Sequence, residues 1–206
     1  MPTKIVAAIL AAGASSRFGS PKQLAKIGNK TLVDLALDAL SSARLEHTCV
    51  VLGCNFEVIN DHLQKRQKST DFDFHILQNL DWNSGLSTSI HTATKFAIAE
   101  NATHLLLLAC DQPFVSPALI QKLLMFANET THKNDIIACN YENSAGIPAI
   151  FPNIYFDDLL ELTGDKGAKP VILNSTSPVL IEFSDGSRDV DYPDELTSVQ
   201  AQLNEI

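Results

Sequence analysis

Apolar residues fall into short unbroken runs separated by stretches of helical spacing. Ile5-Val6-Ala7-Ala8-Ile9-Leu10, Thr48-Cys49-Val50-Val51-Leu52, Phe74-His75-Ile76-Leu77 and Leu105-Leu106-Leu107-Leu108 each have the length of a buried strand. Between the first two, Leu32, Leu35, Ala36, Ala39, Leu40 and Ala43 recur at the spacing of one helix face. Gly53 closes the second strand, and helices are predicted over 56–64 and 85–99. A further helix starts at Pro117, with Ser116 as its cap. The polar, charged connection from Lys65 to Asp73 is the expected flexible segment. Strand–helix alternation of this kind predicts an α/β sandwich with a mostly parallel sheet, whose ligands bind at the carboxyl ends of the strands. The later part is less regular. Asp135 to Cys139, Pro148 to Phe151 and Val179 to Phe183 read as strands among short helices, and a small antiparallel addition is expected there.

The 206 residues suit a single domain, 1–206, and 45% hydrophobic against 19% charged residues is the balance of a compact chain. A net charge of −9 argues against nucleic-acid or anionic-membrane binding, so any phosphate site must rest on local basic residues. The apolar run near the amino terminus ends at Ala12, too short for a bilayer, and lacks the flanks of a signal peptide. Cys49, Cys54, Cys110 and Cys139 show neither a C-x-x-C pair nor a secreted disulfide rhythm. A cytoplasmic protein with reduced thiols is expected.

The first strand opens into Ala11-Ala12-Gly13-Ala14-Ser15-Ser16-Arg17-Phe18-Gly19-Ser20-Pro21-Lys22. Small residues let backbone N–H groups converge on anionic oxygens, and Arg17 and Lys22 bring compensating charge, so the loop suits a polyphosphate. It is neither a P-loop, which needs four residues between its glycines, nor a G-x-G-x-x-G fingerprint. Taken alone it also reads as a solvated surface loop. Asp111 ends the Leu-rich strand and suits a magnesium ligand, since Mg²⁺ takes one or two carboxylates plus substrate phosphates; a capping aspartate is the plainer alternative. Asp189 and Asp191 alternate onto one side of an extended segment ahead of Pro193, and either could complete such a site. The six histidines have no metal spacing, and no G-x-S-x-G elbow is present.

The stretch LAAGASSRFGSPKQL resembles the signature loop of nucleotidyltransferases with the nucleotide-diphospho-sugar transferase fold, and within them the molybdenum cofactor cytidylyltransferase group. NSGLSTSI at 83–90, CDQP at 110–113, GIPAIFP at 146–152, LTGDKGAK at 162–169 and DVDYPDEL at 189–196 extend the resemblance along nearly the whole chain. It implies a three-layer α/β sandwich with a mostly parallel, Rossmann-like sheet. It also implies a Mg²⁺-dependent transfer of CMP from CTP to a phosphorylated pterin acceptor, with a molybdoenzyme as partner. Leu10, Ala11, Ala12, Gly13, Ser15, Arg17, Lys22 and Asp111 would then bind nucleotide, with Gly85 and Ser87 to Ser89 near its base and ribose. Arg17, Lys22 and Asp111 would be catalytic, Asp111 and Asp191 the metal ligands. Gly146, Pro148, Gly164, Asp165, Gly167 and Lys169 would lie on the acceptor side. CTP is favoured because guanylyl-transferring relatives place a second glycine where Ala12 stands. Phe18, Ile147 and Lys169 depart from residues frequent in the family, the last two on the acceptor side. GTP, another acceptor, or a non-catalytic role in holding finished cofactor for an oxidoreductase are the rival readings.

Overall fold

The computed structural model describes residues 3–43, 45–141 and 144–203. Strand β1 (Ile5–Ala11) runs into the glycine-bearing loop and a 3₁₀ turn at Lys22–Leu24. A two-stranded antiparallel ribbon follows, β2 (Lys26–Ile27) with β3 (Lys30–Thr31), which the apolar pattern did not signal because each arm is only two residues. Next come α1 (Leu32–Ser41), β4 (His47–Leu52), α2 (Phe56–Gln67), β5 (His75–Gln78), α3 (Leu86–Ala99) and β6 (His104–Ala109). The chain continues through α4 (Pro117–Asn128), β7 (Ile137–Tyr141), β8 (Ser144–Pro152), α5 (Phe156–Leu160), α6 (Lys169–Asn174), β9 (Val179–Glu182) and α7 (Glu195–Leu203). Ser116 caps α4 as expected, its hydroxyl accepting from the Leu119 N–H at 3.2 Å. The segment expected to be flexible is partly helical: Lys65 and Arg66 form the last turn of α2, where cations complement the helix dipole.

Seven strands form one sheet in the order β5-β4-β1-β6-β8-β7-β9. All neighbours are parallel except where β8 pairs with β6 and β7, so β8 alone is reversed and supplies the antiparallel addition. Successive side chains of β1 enter opposite cores, as a strand buried on both faces requires. Ile5, Ala7, Ile9 and Ala11 pack with α1, α2 and α4, whereas Val6, Ala8 and Leu10 pack with α3, α5 and α6. This is the three-layer arrangement. After β1 the chain builds outward through β4 and β5, then returns to lay β6 on the other flank of β1. The carboxyl ends of β1 and β6 therefore flank the point where strand order reverses, the place where such sheets open a crevice.

A charged network pins α1 to α2 away from that crevice. Thr31 and Asp34 form a reciprocal capping box at the start of α1. Asp34 also meets His62 at 3.0 Å and Arg66 at 3.1 Å. Burial alone would raise the Asp34 pKa, but hydrogen bonds from Thr31 and the influence of His62 outweigh it and hold the carboxyl below the ordinary aspartate range. A depressed native pKa stabilises the fold fully above the unfolded value of about 3.9, and the contribution is lost as pH falls through the lower native pKa. Asp34→Asn is expected to cost about 2 kcal/mol at pH 7, with the gap to the unmodified protein closing below about pH 4. Urea unfolding at pH 7, 5 and 3 checks this; a gap that does not vary with pH would remove the charge from the explanation.

Candidate functional site

A cleft of about 740 Å³ opens at the carboxyl ends of β1 and β6. One wall is the loop after β1, with Ala11 to Arg17, Lys22 and Gln23 facing the space. Ser15 adopts a left-handed φ of 54°, and its carbonyl accepts from the N–H groups of Phe18 and Gly19 at 2.9 and 3.2 Å, which turns the chain back on itself. Gly13 has no left-handed strain, and a Cβ there would meet nothing within 4 Å. Its missing side chain leaves space to the cleft and serves no packing need of the fold. Phe18, one of the departures, is buried in the core that contains α1.

The opposite wall carries the acidic residues. The Cys110 N–H extends the β6 ladder to the Leu10 carbonyl at 3.2 Å, which sets Asp111 beside the loop. The Asp111 carbonyl in turn accepts from the Val190 N–H at 2.9 Å and draws in the segment that bears Asp189 and Asp191. Glu195 Oε2 accepts from the N–H groups of Asp191 and Tyr192 at 2.7 and 2.9 Å and fixes the turn into α7.

Lys22 joins the walls. Its Nζ lies 2.6 Å from Asp111 Oδ2 and 2.9 Å from Asp191 Oδ1, with the lysine side chain 14% exposed. Arg17 Nη1 reaches the other oxygen of Asp191 at 3.3 Å. Burial would lower the Lys22 pKa, yet the Asp111 charge and hydrogen bonds to Asp111 and Asp191 prevail and hold it above the ordinary lysine range. The hydrogen bond from Lys22, followed by the charges of Lys22 and Arg17, outweighs burial and holds Asp191 below the usual carboxylate range. Asp189 is different: burial and the Asp111 charge push it up to about 6 against the pull of Lys22. Both Asp189 and Asp191 line the cleft, so their alternation is real, and Asp189 is a third carboxylate of the site.

Two sequence segments assigned to different substrates meet in space. Gly85 has a φ of 113°, and a Cβ there would strike the Gly164 carbonyl and the Asp165 N–H. The Ser87 N–H donates to the Gly164 carbonyl at 3.0 Å, so the start of α3 rests on the 164–165 turn. Gly85 and Asp165 line the cleft; of the segment Ser87 to Ser89, the buried Ser87 does not, whereas Ser89 does. Gly146, Gly167 and Lys169 line an adjoining pocket of about 160 Å³, with Leu86, Ile90 and Tyr141. Neither Pro148, buried within β8, nor Gly164, which supports Gly85, lines either space.

Gln23, Gln112 and Tyr141 are among the lining residues that carried no assigned role in the sequence. Gln23 is 1% exposed and holds the loop from beneath. Gln112 donates to the carbonyls of Ile147 and Gly186 at 3.3 and 3.0 Å, tying the end of β6 to the wall beyond. Tyr141 donates to the Ile147 carbonyl at 3.3 Å and fills the places where Gly146 and Gly186 lack a Cβ. Trp82 packs on Gly53 and still lines the cleft. Gln23 and Gln112 lie inside quoted motifs, the one signal available. By contrast His91 and His104 are spent on the carbonyls of Leu162 and Lys133.

A sequence profile of the MobA-like NTP transferase domain matches residues 7–179. A probable molybdenum cofactor guanylyltransferase of Geobacillus sp. (strain WCH70) is 31% identical over 136 residues, which are 66% of this chain. The match spans 63% of that relative, just under two thirds of its length. The purine catabolism protein PucB of Bacillus subtilis (strain 168) is 24% identical over 97% of this chain and 98% of its own. Among solved structures, Rv0371c of Mycobacterium tuberculosis, in complex with manganese, superposes with a TM-score of 0.71 at 24% identity. That match covers 97% of this chain and 99% of the other, and shows the same fold.

The two glycines of the cleft are expected to respond oppositely to alanine. Gly13→Ala leaves thermal stability unchanged or raises it by up to about 1 kcal/mol, because the site is open and the backbone ordinary. Gly85→Ala costs about 2 kcal/mol or more through its positive φ and the collision with the 164–165 turn. Thermal denaturation of both variants decides it, and equal losses would contradict the assignment of Gly13 to ligand space.

Proposed function

We propose that the chain, which belongs to the MobA-like NTP transferase family, transfers CMP from CTP to the terminal phosphate of a molybdopterin-type acceptor and releases pyrophosphate. The observation that carries this reading is the convergence of Asp111 and Asp191 on Lys22 opposite a glycine-open loop. An acceptor phosphate oxygen attacks the α-phosphorus, a new P–O bond forms, and the bond to the β-phosphate breaks. The acceptor brings its own nucleophile, so no side chain need form a covalent intermediate. Arg17 and Lys22 face the departing pyrophosphate and offset the charge that builds there.

The donor set suits magnesium. Asp111 Oδ2 and Asp191 Oδ1 both lie within 3 Å of one cationic atom, which two hard oxygens around one cation would require. Among the described residues no three His, Cys, Asp or Glu side chains form a metal group by themselves, so substrate phosphates and water would complete the shell. An ion held by these two carboxylates would displace the Lys22 ammonium from between them and, with it, would offset the charge of the triphosphate and its transition state.

Ala12, a lining residue of the cleft, supports cytosine over guanine through the family resemblance, since guanylyl-transferring relatives place a glycine there. The relative from Geobacillus is named a guanylyltransferase, which makes GTP the competing outcome. The adjoining pocket, mostly apolar and bearing Lys169, suits a flat ring with a phosphate arm. The finished cofactor would pass to a molybdoenzyme. No helix among the described residues is long and apolar enough to cross a membrane. Buried, unpaired Cys49, Cys110 and Cys139 fit a reducing cytoplasm.

Pyrophosphate release measured with CTP, GTP, ATP and UTP, with and without molybdenum cofactor and Mg²⁺, tests the whole reading. Release is expected with CTP and only when acceptor is present. A faster reaction with GTP would overturn the base assignment, and indifference to the acceptor would overturn the transfer. Asp111→Asn is expected to lower turnover about 10²-fold or more with the fold intact. Normal release by that variant would take Asp111 out of the site.

A further inference from the structure

We infer that Gln23 is the positioning residue that makes the loop after β1 selective for a polyphosphate. The inference rests on the nucleotide reading of the cleft but not on the base or the acceptor.

A peptide loop presents both N–H and C=O dipoles, and a carbonyl oxygen turned toward a phosphate repels it. For the loop to bind an anion, its carbonyls must be engaged elsewhere. Here they are. Gln23 Nε2 donates to the carbonyls of Ala11 and Gly13, both at 2.9 Å. The Ala12 carbonyl accepts from the Cys54 N–H at 3.0 Å, and the Ser15 carbonyl is taken up by the turn to Phe18 and Gly19. Gln23 Oε1 accepts from the Ser15 hydroxyl at 3.3 Å, and that same hydroxyl oxygen accepts from the Lys22 N–H at 3.1 Å. One buried amide thus grips residues 11, 13 and 15 and, through Ser15, the backbone of Lys22.

The chemistry requires an amide. Two donors on a single nitrogen satisfy two carbonyls, and the adjacent oxygen takes a hydroxyl proton. Glutamate has no such donors when ionised, and methionine matches the size but not the hydrogen bonds. Without the amide, the Ala11 and Gly13 carbonyls would be free to turn toward the cleft, where an anion would meet them.

The test uses the full chain and a probe without base or acceptor. Binding of tripolyphosphate with Mg²⁺ is measured by calorimetry for the unmodified protein, Gln23→Met, Gln23→Glu and Ser15→Ala, with near-ultraviolet circular dichroism as the check on folding. Both Gln23 variants are expected to bind tripolyphosphate about tenfold more weakly or worse, and Ser15→Ala a few-fold more weakly, the scale of hydrogen bonds that direct a charged ligand. The preference for CTP over CMP should fall by a similar factor. Should the buried changes prevent folding, Ser15→Ala, at the half-exposed end of the same network, decides the matter. Tripolyphosphate binding unchanged in every folded variant, or equal losses for CTP and CMP, would overturn the inference. If GTP proves to be the substrate, the tripolyphosphate result is unaffected, so the two failures can be told apart.

Discussion

The parallel pairing of β1 with β6 is the constraint on which the rest of the site depends. Ile9 stands opposite Leu108 and Leu10 opposite Ala109, so the strands end together and release their loops side by side. A register shift would turn every side chain of β1 to the wrong core, which fixes the pairing through burial on both faces. Everything chemical hangs from that common end. The glycine-bearing loop follows Ala11 at once, Asp111 comes two residues after the end of β6, and the Asp111 carbonyl recruits the segment of Asp189 and Asp191. A chain segment about eighty residues beyond β6 is joined to the carboxyl end of that central strand by a backbone hydrogen bond.

Charge balance explains why the cleft holds together. Three carboxylates share a partly enclosed space, and burial first, then the charges of Asp111 and Asp191, raise Asp189 to about 6. Lys22 is the main counterweight, shared between Asp111 and Asp191, while Arg17 sits outside, two-thirds exposed, on the far oxygen of Asp191. Burial sets the order of worth, since an exposed ion pair is screened and contributes little. Lys22 is therefore the structural as well as the electrostatic centre. Arg17 keeps the freedom to reorient toward a ligand.

Much of this was legible in the chain. The apolar runs marked β1, β4, β5 and β6, and helical spacing marked α1, because buried strands and one-faced helices are strong periodic signals. The ribbon of β2 and β3 was invisible, since two-residue arms leave no period to read. Lys65 to Asp73 looked loose because its charges were read as solvated. The structure uses Arg66 to pair with Asp34 and Asp38, a long-range contact that no local pattern encodes. Within the site, Arg17, Lys22, Asp111 and Asp191 could be named from type and motif. Gln23, Gln112 and Tyr141 could not, because their work is to hold backbone groups whose positions only the fold defines.

The two sides of the cleft are built by different means, and this bears on how such a site changes substrate. The loop side is local: residues 11–23 carry both the ligand-facing backbone and the glutamine that supports it. The other side is assembled from distant parts, with Gly164 under Gly85, Tyr141 between Gly146 and Gly186, and Gln112 bridging Ile147 and Gly186. Close contacts at glycines leave no room for side chains at those points, so variation is confined to residues that face open space. Ile147 and Lys169, which depart from the family's frequent residues, are such positions, since both line the adjoining pocket. The scaffold of that side can therefore stay fixed while its chemistry shifts, whereas in the loop a change at Gln23 would remove the support of the backbone that faces the cleft. On the proposed reading, a loop side held by one buried amide beside a second side open to substitution would let one transfer centre serve different acceptors.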